Sequence, residues 1–60
     1  MNVYELMQTV PWNKNIALYK RVKNDFIFHS FGMAWEMQFY YEVEHYYQDT
    51  DNVMVVLAYD

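Results

Sequence analysis

The stretch that most restricts what this chain can become is VMVVLAY, residues 53–59. It follows the turn cluster QDTDN and is rich in residues that favour strands, so it reads as a strand. Side chains alternate along a strand. Val53, Val55, Leu57 and Tyr59 therefore form one face, and Met54, Val56 and Ala58 the other. Both faces are apolar. The rest of a sixty-residue chain has to cover two sides of a sheet, and it has little material for the task.

One side has an obvious cover. Val3, Leu6, Met7 and Val10 recur at helical spacing. Asn2 is placed as an N-cap, with Glu5 three residues on to complete a capping box. Pro11 forces Val10 out of helical geometry and ends the helix. About two turns do not persist alone in water, so this helix must pack on the sheet. NIALYKRV, residues 15–22, reads as a strand with Ile16, Leu18 and Val22 on one face and the Lys20 stem among them. The KND cluster is a turn, and Phe26–Phe31 forms the return strand of a hairpin. Gly32, the one glycine, marks a bend or bulge where a side chain does not fit.

The segment Met33–Tyr47 carries the main ambiguity. Alternation puts Met33, Trp35, Met37, Phe39, Tyr41, Val43, His45 and Tyr47 on one face and Ala34, Glu36, Gln38, Tyr40, Glu42, Glu44 and Tyr46 on the other. At helical period no clean stripe appears. The alternation favours a long, bent strand, with a helix over residues 34–47 as the competing reading. The expected fold is α+β: residues 1–60 form a single domain with a short N-terminal helix on a four-stranded, mainly antiparallel meander.

Composition narrows the function classes. Without cysteine there is no disulfide framework and no thiolate metal site, which fits a reducing compartment. No secretory leader and no span of roughly 20 apolar residues is visible, so a cytoplasmic protein is expected, with no membrane partner. The net charge is −4. All four basic residues (Lys14, Lys20, Arg21, Lys23) fall between positions 14 and 23, whereas Glu36, Glu42, Glu44, Asp49, Asp51 and Asp60 follow with no lysine or arginine among them. Phosphate binding needs the opposite balance, so direct nucleic-acid contact is disfavoured and a partner with a basic surface is favoured. The basic segment reads as the counterweight to the acidic strand across the sheet or as the complement of an acidic rim.

On the alternating reading, Glu36, Tyr40, Glu42, Glu44 and Tyr46 make one partner-binding surface. Its residues are spaced about 7 Å apart, with carboxylates for a row of cations and tyrosine rings as anchors. A half-buried strand with a wet outer face gives the same pattern, because cross-strand tyrosines stabilise a sheet by themselves. Catalytic constellations are weak. His29 and His45 lie near Glu42, Glu44 and Asp49 in sequence but without a ligand spacing. Ser30 has a neighbouring histidine but no nucleophile elbow. A Glu36–Glu42 pair lacks a cleft, and there is no phosphate-cradling loop. No enzyme, no metal and no cofactor is expected.

The opening MNVYELMQTVPWNKNIALY resembles the start of many short phage and prophage proteins, with a brief V-x-E-L helix, a proline and a strand; Val3, Glu5, Leu6, Pro11, Ile16 and Leu18 carry the match. Small acidic phage proteins include inhibitors of host defence, restriction and repair enzymes, some of which imitate DNA. The resemblance implies a non-enzymatic inhibitor in the host cytoplasm that occupies a basic site, such as a nucleic-acid-binding one, on a host protein through the acidic aromatic face. The alternative expectation is a structural or assembly subunit that self-associates through its sheet. A homodimer or a hetero-complex would cover the second apolar side.

Overall fold

The computed structural model describes residues 1–60. The chain runs α1 (Val3–Met7), β1 (Asn15–Val22), β2 (Asp25–Met33), a single 3-10 turn (Ala34–Glu36), β3 (Glu42–Thr50) and β4 (Val53–Tyr59). The α+β architecture, the N-terminal helix, the β1–β2 hairpin and the last strand match the sequence reading.

Helix α1 is short because everything that stabilises it is local or borrowed. The capping box forms: Glu5 N–H donates to Asn2 Oδ1 at 2.8 Å and Asn2 N–H to Glu5 Oε1 at 2.9 Å. The first-turn N–H groups of a helix have no partner within it. Here the Val3 and Tyr4 N–H groups donate to the carbonyls of Tyr41 and Phe39, each at 2.9 Å. The capping box thus sets where the helix starts, and the segment before β3 satisfies what the cap leaves over. Beyond Met7 the turn tightens, with Gln8 and Thr9 N–H groups bonding the Glu5 and Leu6 carbonyls.

The sheet is mixed, in the order β2-β1-β4-β3, and this corrects the expected meander. β1 pairs antiparallel with β2 and parallel with β4, Asn15 opposite Val53 through Lys20 opposite Ala58; β4 pairs antiparallel with β3. A meander would set β2 beside β3 and leave β4 on an edge. β4 is the strand with two apolar faces, and an edge would expose it to water. At the centre, beside β1, its Met54, Val55, Val56 and Ala58 are all buried. The polar-bearing strands β2 and β3 take the edges instead.

That order requires residues 34–41 to cross the sheet from one edge to the other, which corrects the single strand expected over Met33–Tyr47. The crossing begins with the 3-10 turn, where Met33 N–H donates to Glu36 Oε1 at 2.8 Å. Gly32 makes the turn fit. A Cβ built there would stand 2.8 Å from Glu36 Oε1 and 3.3 Å from Met37 Cε. The glycine is therefore a point of close approach; the bulge in β2 falls earlier, at His29. The crossing segment and α1 cover the same side. Val3, Leu6, Met7, Ala34 and Met37 pack on Ile16, Leu18, Met54, Val56 and Ala58 to form the core. No helix is long and apolar enough to cross a membrane.

Candidate interaction surfaces

The five residues read as one binding row do not share a face. Glu36 lies in the 3-10 turn and is engaged with the Met33 N–H. Tyr40 lies in the crossing segment, largely exposed, its ring 5.6 Å from that of Tyr4. Glu42 begins β3, 3.4 Å from the N-terminal ammonium. Glu44 pairs with Arg21 at 3.0 Å. Tyr46 is opposite Val56, on the helix-covered side.

The reason is a bulge. β3 shifts register between Val43 and His45, leaving Glu44 unpaired. One extra residue reverses the side chains that follow, here from His45 through Gln48, where a second shift begins. Val43, opposite Ala58, faces the core, but His45 and Tyr47, opposite Leu57 and Val55, face the other side. Glu42, opposite Tyr59, stays on that other side, and Tyr46 is turned away from it.

Of the six acids after Met33, Glu36, Glu42, Glu44 and Asp60 each have a partner inside the molecule, the last in an ion pair with Lys20 at 3.1 Å. The expectation that the basic segment balances the acidic strand across the sheet is met by Arg21, through Glu44; Lys20 pairs instead with Asp60, beyond the end of β4. Arg21 also lies over the Tyr59 ring, 5.5 Å from its centroid. These pairs are solvent-exposed, so each contributes at most about 1 kcal/mol.

The second apolar side expected from residues 53–59 is the side of the sheet opposite α1. No element covers it. Ala17 and Tyr19 of β1, Val55 and Leu57 of β4, Phe28, Phe31 and Met33 of β2, and His45 and Tyr47 of β3 share this face by register. Phe28 and Phe31 are 56% and 59% exposed, as much as a loop residue, although both lie within a strand. Tyr19 and Phe28 meet edge-to-face at 5.7 Å. The signal was present in the apolar double face of residues 53–59, and the phenylalanines of residues 26–31 repeat it.

A second exposed aromatic group lies on the helix side. Trp12 and Trp35, 66% and 57% exposed, flank a cleft of about 350 Å³ whose wall includes Tyr4, Gln8 and Gln38 and whose floor includes Met7, Ala34 and Met37.

The histidines are far apart in role. His29, the bulged residue of β2, sits among Phe39 and Tyr41 with Nδ1 3.1 Å from Ser30 Oγ and Nε2 3.4 Å from Tyr41 OH. His45 stands on the opposite edge strand beside Tyr47. No group of three or more His, Cys, Asp or Glu side chains converges on a metal-sized space.

Comparison of the chain with protein-family models, with curated proteins and with solved structures returns no match.

Proposed function

We propose that the chain is a non-enzymatic assembly subunit that works by burying the open face of its sheet against the same face of a second copy. The observation that carries this reading is the exposure of Phe28 and Phe31 within a continuous apolar sheet face. Soluble monomers seldom leave such a patch in water.

A second copy suits the face for two reasons. The first is area. Four strands at about 4.8 Å spacing and about 25 Å length give a footprint of about 500 Å², and protruding rings add accessible surface. That approaches the roughly 800 Å² per partner of a standard interface. The second is charge. The ionic groups that reach this side come as an Arg21–Glu44 pair and as Glu42 beside the N-terminus, so two like faces meet without net repulsion. Two such sheets would stack about 10 Å apart with strands offset by about 30°. Burial there would also add to a core that holds only eleven of sixty residues, which is small for a chain without disulfides.

Occupation of a basic site on a host protein through Glu36, Glu42 and Glu44 finds less support. Each of these carboxylates would first have to leave a partner it already has.

Sedimentation equilibrium over a concentration series tests the proposal. A dimer that persists from low to high salt is expected, because burial of apolar surface is not screened. A monomer throughout, or a dimer that dissociates as salt rises, would overturn it.

A further inference from the structure

The cleft between Trp12 and Trp35 lies on the other side of the molecule and takes no part in the reading above. We infer that it is a binding site for a short proline-rich peptide segment in the polyproline II conformation, supplied by a partner protein.

Three properties of the cleft argue for this ligand. Its walls are held in place before anything binds: Trp35 N–H donates to Trp12 C=O at 3.2 Å and Ala34 N–H to Lys14 C=O at 2.8 Å, so the 3-10 turn is tied to the loop after Pro11. A preformed groove loses little entropy on binding, and a polyproline II ligand is itself preordered. The lining carries no carboxylate, ammonium or guanidinium in a chain of net charge −4, so the ligand is neutral where it touches.

Third, the two tryptophans that flank the cleft offer donors only. An indole N–H only donates, and neither Trp12 nor Trp35 donates to another group of the protein. Gln8 has a free amide, while Gln38 Nε2 is engaged with the Trp35 carbonyl at 3.3 Å. Proline is the residue that brings a carbonyl acceptor without an N–H. Its ring also fits between aromatic ridges, the way aromatic-lined grooves take such segments. Met7, Ala34 and Met37, all buried, give the apolar floor.

The test is a titration of the full chain with an uncharged capped decaproline peptide, read by tryptophan fluorescence and by amide chemical-shift mapping. A saturable response centred on residues 8–12 and 34–38 is expected. Trp35→Ala and Trp12→Ala should each weaken it by about tenfold or more, as removal of a central aromatic anchor does. Both side chains are exposed, so thermal unfolding of these variants should stay near that of the parent. Any of three results would overturn the inference: no saturable response at millimolar peptide, a response unchanged in both variants, or a response to a neutral oligosaccharide in place of the peptide.

Discussion

The two sides of this sheet are built from similar amounts of apolar side chain and meet opposite fates. On the α1 side, Ile16, Leu18, Val56 and Ala58 are shut off from water by five helical residues and one crossing segment. On the open side, Phe28, Phe31, Met33 and Tyr47 are in contact with it. The difference is not hydrophobicity, because phenylalanine has more apolar surface to bury than alanine or valine. The difference is supply. A chain of this length has enough cover for one side, and the second must be covered from outside or left wet.

That contrast can be broken from either side. Leu6→Ala should have the largest effect, a loss of about 2–5 kcal/mol, because it opens a cavity in the core that α1 shares with residues of β1 and β4. In so small a domain that approaches the whole stability, and urea unfolding followed by circular dichroism would show it. Phe31→Glu on the open side should behave in the opposite way. Measured where the protein is monomeric, its stability should stay within about 0.5 kcal/mol of the parent, as for other surface changes. Its self-association, by sedimentation, should weaken by about tenfold or more. Equal losses of stability in the two variants would erase the distinction between the faces.

Gly32→Ala sharpens the comparison by acting on the covering segment alone. The added methyl displaces Glu36 from the Met33 N–H, so a loss of about 1 kcal/mol is expected, with self-association unchanged. Lys23→Gly should have the smallest effect and the opposite sign. Lys23 sits at the β1–β2 hairpin tip with φ 59°, a left-handed conformation that costs a residue with a Cβ about 1 kcal/mol, and it belongs to neither face. A gain of up to about 1 kcal/mol in thermal unfolding, with assembly unaltered, would mark it as a purely local effect.

Much of the local structure was legible in the residues. The Asn2–Glu5 capping box, the hairpin turn at Lys23 and Asn24 and the strand at residues 53–59 appear where short-range chemistry puts them, whereas α1 ends at Met7, before Pro11 is reached. The strand order was not legible: the expected meander put β4 on an edge in spite of its double apolar face. The proposed binding row failed as a row for a narrower reason. The bulge at Glu44 has no glycine or proline to announce it, yet it reverses the side on which Tyr46 and Tyr47 fall. A strand between Met33 and Tyr47 also looked continuous in its alternation, while Gly32 and Glu36 together were building a turn.

By itself the sequence determined the short helix, the β1–β2 hairpin and the last strand, and that apolar surface exceeds what one short helix can cover. Those properties depend on neighbours a few residues away and on totals along the chain. Only the tertiary structure decided which strands lie at the centre, where β3 slips by one residue, and which aromatic rings are left facing water. Those outcomes depend on pairing between segments far apart in sequence, where placing β4 between β1 and β3 removes more apolar surface from water than the edge position of a meander would.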